Sequence, residues 1–516
     1  MAQDSGPAPI AEGERRWRAR AGALMMGALP SLAFPEPGLW PLAYVGLVPL
    51  LLIIRAAPSR REAAVQAWIG GTGFLFATHH WLLPNVTVFL PVVALVVGAL
   101  WIPWGWAAHR LLAARPDAGG AVAAVVVLAG GWVVIEVIRA WEHLGGPFGL
   151  LGATQWRNIP MLSAASLGGV WLVGYVIVGI NVAIAAAISR RRLRARAAAL
   201  GVAVLLATPG PLYHLLGPDP AGDRTARIAV VQPGVLPGPV VRFERGEALT
   251  RAVTGEDLDL VVWGESSVGF DLDARPDLLA RLQEMARSAG ADVLVNVDAE
   301  STRGGIYKSS VAIGAEGEKA RYDKMRLVPF GEYIPLRPAL GWVSGLTEAA
   351  QVDRSRGRSL RLFTTSGFDF GTLVCFESAF PDLGRTLALM GAELIVVQSA
   401  TSTFQESWAP ETHASLAAVR AVETGRPVLH ATLTGVSAAF DAGGERKLWM
   451  GTGRTGAQVI SLPLASRETP YLLLGDWVVW LSVTTVAVAA YLLRRAAGRS
   501  TSGGRRAVTH AGAHVL

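Results

Sequence analysis

The amino-acid sequence predicts a multi-pass α-helical membrane bundle joined to one α/β domain. Three observations predict it. Eight apolar runs punctuate the chain, each near the roughly 20 residues a helix needs to cross a hydrocarbon core. Arginines gather in alternate connections between those runs. Between about residues 225 and 465 charges return, and short β-branched runs alternate with amphipathic stretches. The bulk numbers agree: 17% of the 516 residues are charged and the mean hydropathy is +0.38, where a soluble globular chain carries about 25% charged residues.

The apolar runs lie near 21–35, 38–55, 63–84, 86–113, 119–140, 163–189, 196–214 and 471–493. Pro30, Pro35 and Pro37 punctuate the first two. The first run follows Arg15, Arg16, Arg18 and Arg20 in the manner of a secretory signal. No small-residue cleavage site follows it and further runs come at once, so it is read as a retained helix. With the N-terminus inside, the inner connections hold those arginines, then Arg55, Arg60 and Arg61, then Arg110 and Arg115, then Arg190, Arg191, Arg192, Arg194 and Arg196. The outer connections carry only Arg139 and Arg157, around 141–162. Seven helices then place the α/β domain outside, and the eighth returns a tail bearing Arg494, Arg495, Arg499, Arg505 and Arg506 to the inside. The expected organisation is a membrane region over 1–220, an extracytoplasmic domain over 221–468, and a final helix with a basic cytoplasmic tail over 469–516. Much of the net charge of +7 sits in these clusters, so it speaks of orientation in a membrane and not of nucleic acid.

Within the domain, strands are expected over 227–232, 258–263 and 291–297, then a hairpin of 307–313 with 319–322 around 314–317. Further strands are expected over 368–374, 393–397, 427–432 and 436–440, with helices over 276–288, 382–390 and 411–423.

Cys375 is the single cysteine, which excludes an internal disulfide and a zinc site built on several thiolates. A lone cysteine is more often buried and inert than reactive. A nucleophilic one needs a base and a means of holding negative charge. Glu265, just past an apolar strand ending in Trp263, is placed to accept a proton from a thiol; alone it reads equally well as a loop carboxylate. Lys324 lies in YDKMRLVPFGEYIP, where an ammonium can hold a thiolate or an oxyanion by charge; alone it reads as a surface lysine. The combination raises all three. Glu, Lys and Cys follow one another in that order on alternating α/β elements.

That order resembles the nitrilase, or carbon–nitrogen hydrolase, superfamily. YDKMRLVPFGEYIP is very similar to the signature of the apolipoprotein N-acyltransferase family, and GTLVCFESAFP over 371–381 resembles its nucleophile motif. Arg426-Pro427 and Thr434-Gly435-Val436-Ser437 also fit. The resemblance covers the whole chain, because that family too has helices before the domain and one after it. It implies a nitrilase-like αββα sandwich, with Glu265 as general base and Cys375 as nucleophile. Lys324 stabilises the oxyanion, with the backbone N–H of Phe376 as a second donor. Glu332 and Glu377 match the further acidic residues that position the lysine and the acyl-accepting site. The implied reaction passes an acyl chain from a phospholipid through a thioester to the α-amino group of a diacylglyceryl apolipoprotein. It uses no metal or organic cofactor, and the protein is expected to be a monomer in the cytoplasmic membrane. A membrane-tethered amidase sharing the triad, or a non-catalytic scaffold, are the rival readings; the intact triad speaks against the scaffold.

Three departures from the family pattern stand out. Trp-Gly264-Glu replaces Trp-Pro-Glu, and the glycine is expected to loosen that turn. Lys308 replaces an asparagine and is expected to compete electrostatically with Lys324. Residues 399–404 replace a Ser-Asn-Asp-Ala-Trp-Phe loop on the substrate side. Trp141, Phe148 and Trp156 before the sixth helix either form an interfacial belt, the commoner role, or line an apolar entrance.

Overall fold

The computed structural model describes residues 9–113, 117–189, 192–220, 222–300, 305–342 and 353–510. Arg115, Arg190 and Arg191 of the basic connections lie outside the described residues. The N-terminal region holds α1 (Pro9–Ala28), α2 (Val48–Ala56), α3 (Arg60–His79), α4 (Phe89–Ala113), α5 (Ala118–Arg139), α6 (Ala165–Ser189) and α7 (Leu193–Leu216). Among the described residues, five helices are long and apolar enough to cross a membrane: α4 to α7 and a C-terminal helix over Trp477–Arg495.

The first three expected spans take other forms. The run over 21–35 divides between the end of α1 and a 3-10 turn at Leu29–Ala33; that over 38–55 divides between a turn at Trp40–Tyr44 and α2. Pro30, Pro35, Pro37 and Pro41 each lack the N–H that a continuous helix would use. α3 opens on Arg60, Arg61 and Glu62 and buries Gln66, so only its middle is apolar. Small residues bring α1 against α3: a Cβ on Gly27 would stand 2.0 Å from the Gly70 carbonyl oxygen.

Two six-stranded mixed sheets follow. The first has the order β12-β1-β2-β3-β4-β5, from β1 (Thr225–Gln232), β2 (Leu260–Trp263), β3 (Asp292–Glu300), β4 (Ile306–Gly314), β5 (Gly317–Asp323) and β12 (Gly456–Pro463). The second has the order β11-β10-β9-β8-β7-β6, from β6 (Leu362–Thr364), β7 (Asp369–Val374), β8 (Leu394–Ser399), β9 (Val428–Thr432), β10 (Ser437–Phe440) and β11 (Arg446–Met450). The sheets face each other over Ile228, Val230, Leu260 and Val262 on one side and Phe370, Val374, Val396 and Leu429 on the other. Helices α8 (Gly238–Arg251) and α9 (Pro276–Ala289) cover the first sheet; α10 (Pro381–Met390) and α11 (Ala409–Thr424) cover the second. The result is the αββα sandwich. The outer face of α11 is buried against the bundle, while α10 is buried there in part and leaves Leu389 and Met390 exposed. Leu383, Leu416 and Val419 share one core with Val173, Val176 and Ile177 of α6. The last helix, α12 (Trp477–His510), packs along α5 and closes the bundle.

Candidate active site

β2, β5 and β7 each deliver one candidate side chain at or just past their C-terminal ends. β2 runs parallel to β1 and β3, and β7 runs parallel to β8, so loops after these strands converge on one edge of the sandwich. There Lys324, 1% exposed, places Nζ 2.9 Å from Glu332 Oε1 and 3.4 Å from Glu265 Oε1. Glu265 is itself buried, and its backbone N–H donates to the Ser399 carbonyl at 3.1 Å. Burial alone would lower the lysine. The charges of Glu265 and Glu332 outweigh it and hold the ammonium well above its ordinary value. A buried cation between two carboxylates is tolerable because each charge is compensated.

Cys375 opens a 3-10 turn, Cys375–Ala379, straight off β7. Its φ of 49° lies in the left-handed region, uncommon for a residue with a Cβ. Ser266 (φ 56°) and Phe330 (φ 64°) share that conformation, one beside Glu265 and one two residues before Glu332. Such residues cost on the order of 1–3 kcal/mol each and persist where surrounding contacts hold them. Here the contacts are visible. Asn296 Oδ1 accepts the Ser266 N–H at 2.9 Å, and the Phe330 N–H reaches the Tyr333 carbonyl at 2.7 Å. The thiol is pushed up to about 12, chiefly by burial and next by the Glu265 charge, with Lys324 pulling the other way. A thiol raised this far stays protonated at neutral pH and ionises only if a base takes its proton.

The two further acidic residues do different work. Glu332 touches Lys324 with Oε1 and accepts the Val328 N–H with Oε2 at 2.8 Å. Glu377, fully buried, ties backbone to backbone. Its Oε1 accepts from Tyr322 Oη at 2.8 Å, Met325 N at 2.7 Å and Arg326 N at 3.0 Å, while Oε2 accepts from Val374 N at 2.8 Å. It therefore locks the lysine loop to the strand that carries the thiol. Phe376 is buried, stacked on Phe148 with centroids 6.0 Å apart and against Phe380 at 4.9 Å.

One side chain at the elbow was not expected. His413 of α11 reaches the Cys375 carbonyl oxygen and the Ser378 hydroxyl with one ring nitrogen and Ser399 Oγ with the other. Burial pushes it down to about 4, so it is neutral. Its helix is buried at every position but Glu411, and a lone histidine on such a helix reads from sequence as core. Among the described residues, no three His, Cys, Asp or Glu side chains are grouped to hold a metal ion.

Comparison with known proteins bears directly on this geometry. The models of the apolipoprotein N-acyltransferase N-terminal domain and of carbon-nitrogen hydrolase match residues 26–183 and 227–466. The apolipoprotein N-acyltransferase of Methylococcus capsulatus is 32% identical over 75% of this chain and 77% of its own length. The chain belongs to the apolipoprotein N-acyltransferase family. The Geobacter metallireducens member is 29% identical over 92% of this chain and 95% of its own. Of solved structures, XC1258 from Xanthomonas campestris, a CN-hydrolase superfamily protein, is similar over 49% of this chain and 98% of its own at 18% identity and a TM-score of 0.38. As a member of the N-acyltransferase family the protein is an integral membrane enzyme of the acyltransferase class.

Two of the departures from the family pattern take a different meaning in the structure. Gly264 does not loosen its turn. A Cβ there would lie 1.9 Å from the Leu433 amide nitrogen, so glycine is what admits the end of β9 against β2. Lys308 does not compete with Lys324, because its Nζ is turned to Ser266 Oγ and Asp298 Oδ1. Loop 399–404 presents Phe404 to Trp81 at 5.0 Å, and Trp81 meets Phe148 in turn at 6.1 Å. The three aromatic residues before α6 part company. Phe148 joins this wall, Trp156 is buried on Trp449, and Trp141 is exposed.

Proposed function

We propose that this chain moves an acyl chain from a membrane phospholipid to the α-amino group of an apolipoprotein's diacylglyceryl cysteine, with Cys375 carrying it as a thioester. Convergence of Glu265, Lys324 and Glu332 beside a strained, protonated Cys375 is the observation that carries this reading. Glu265 takes the Sγ proton as the sulfur bonds to the ester carbonyl carbon. Lys324 Nζ and the backbone N–H of Phe376 hold the oxyanion. The carbon–oxygen bond breaks, and the lysophospholipid leaves with the proton from Glu265. The amine then attacks the thioester, Glu265 takes its proton, and the sulfur departs to regenerate the thiol. Glu332 keeps the ammonium charged and aimed; Glu377 fixes the distance between the lysine loop and the elbow.

The same reading sets the domain, residues 221–468, on the extracytoplasmic face, with both termini inside and the protein acting as a monomer. The arginine bias of the connections supports that orientation. Lateral entry suits both substrates, since each is anchored in lipid and the aromatic wall of Trp81, Phe148 and Phe404 joins bundle to domain.

The test is mass spectrometry of a lipoprotein's N-terminal peptide from a host without its own N-acyltransferase. Expression of this chain is expected to add one amide-linked acyl chain, and its Cys375→Ala variant none. Free fatty acid released without peptide acylation would instead give the tethered hydrolase, and inserted protein doing neither would overturn acyl transfer.

A further inference from the structure

We infer that His413 is a positioning residue for the Cys375 elbow, acting through its neutral imidazole between the carbonyl of the nucleophile's own residue and the Ser399 hydroxyl. The inference rests on the reading of Cys375 as the nucleophile.

The hydrogen bonds fix the tautomer. Nε2 lies 3.0 Å from the Cys375 carbonyl oxygen and 2.8 Å from Ser378 Oγ; Nδ1 lies 3.2 Å from Ser399 Oγ. A carbonyl can only accept, so Nε2 bears the hydrogen. Nδ1 is then the acceptor for the Ser399 O–H. One ring thus ties the backbone of the thiol's own residue to the Ser378 and Ser399 hydroxyls.

The clamp is needed where it sits. Cys375 holds a φ of 49°, and the strand-to-turn geometry survives only if neighbours over-determine it. Glu377 holds the strand side through Val374 N. His413 holds the carbonyl on the turn side. The ring is hemmed in by His430, which packs edge-on at 4.8 Å, and by Phe148, whose ring centroid lies 5.8 Å away. His430 is fixed in turn by the Val436 carbonyl, at 2.9 Å from its Nδ1. The His413 ring is 4% exposed, so it acts on the reaction through the groups it holds, Cys375, Ser378 and Ser399.

The experiment compares His413→Ala and His413→Gln with wild type, as full chains in detergent. Thioester formation on Cys375 is followed in a single turnover by intact mass, with phospholipid in mixed micelles. A glutamine amide can reproduce the Nε2 donor to the Cys375 carbonyl; alanine cannot. Misplacing a reacting group by about 1 Å costs on the order of 100-fold. Alanine is therefore expected to slow acylation about 100-fold with the half-saturating phospholipid concentration unchanged, and glutamine to recover most of that loss. A second arm measures alkylation of Cys375 by iodoacetamide against pH, which needs no acyl donor; alanine is expected to shift that profile and glutamine to restore it. If wild type forms no thioester, the acyl-transfer reading fails while the alkylation arm still decides the role of His413. Should both histidine variants fail to fold, Ser378→Ala and Ser399→Ala, which remove a single hydroxyl each, are expected to slow acylation several-fold at unchanged half-saturation. Alanine at position 413 matching wild type in both arms, glutamine doing no better than alanine, or both serine variants at the wild-type rate would overturn the inference.

Discussion

At the scale of single residues, the site pairs a thiol that resists ionisation with a carboxylate that both helps and hinders it. The Glu265 charge raises the Cys375 thiol, already lifted by burial, toward about 12, yet the same carboxylate is the candidate base. These roles separate in Glu265→Gln. Thioester formation is expected to fall by roughly 100- to 10,000-fold, the range for a lost general base. Alkylation by iodoacetamide at pH 9 is expected to rise, because removing the charge lets the thiol ionise at lower pH. In wild type, the alkylation rate should still be climbing at pH 10. Acylation and alkylation falling together would assign Glu265 a structural role. Lys324 and Cys375 could be named because each sits inside a long motif, whereas Glu265 rested on its place after an apolar strand and on chain order, and the structure brings it to the lysine. Lys324 could be named from YDKMRLVPFGEYIP, but its two carboxylate partners come from a different strand and from a turn, and only Glu332 lay within the motif. His413 was not legible, because its partners Cys375 and Ser399 are 38 and 14 residues away along the chain, and Ser399 was read only as the start of the 399–404 loop.

At the scale of elements, the interior strands were read closely, since β1, β2, β8 and β9 are buried almost throughout and appear as short segments dominated by apolar residues. The elements that escaped are those without such a signal. β6 has three residues, and β12 alternates exposed and buried positions at a sheet edge. α8 buries Phe243, Gly246, Glu247 and Thr250, so it presents no apolar stripe; Gly246 sits under the Trp263 ring, which a Cβ would meet at 2.8 Å. Gly264 belongs to the same class of contact. Glycine there reads from sequence as freedom and proves to be closeness, with the Leu433 amide where a side chain would go. Gly264→Ala is accordingly expected to force β2 from β9 at a cost of about 1–3 kcal/mol. It should lower the melting temperature in detergent by several degrees and slow acylation with it, since Glu265 is the next residue. The family's usual proline at this position should do the same here. Unchanged melting and acylation in either variant would show that the Leu433 backbone yields freely.

At the scale of the whole molecule, bundle and domain are not two cores with a linker. α11 lies under both the second sheet and α6, and a buried carboxylate joins them. Helix α6 is broken at Gly168 and Gly169, the latter at φ 68°, which frees backbone groups that the rest of the chain must satisfy. Glu423 of α11 accepts the Val170 N–H at 2.6 Å with Oε1, while Oε2 faces Arg420 Nε at 2.9 Å; Trp477 Nε1 caps the Leu167 carbonyl, also at 2.9 Å. The helix that packs beside the Cys375 turn is thus anchored to a membrane helix through one ionisable group. Burial raises Glu423 from about 4.5 to about 7, against the pull of Arg420 and the Val170 N–H. A carboxyl raised on folding binds its proton more tightly in the folded state. Its contribution is therefore fully present below pH 4.5 and is lost as pH rises toward 7. Other groups titrate over the same range, so the informative quantity is a difference. Glu423→Gln keeps an oxygen for the Val170 N–H and cannot ionise. The stability of wild type relative to Glu423→Gln, from thermal unfolding in detergent, is expected to decline between pH 4.5 and 7 and to level off above it. A difference that is flat across that window would mean that the anchor does not titrate there and that the link between α6 and α11 is insensitive to pH.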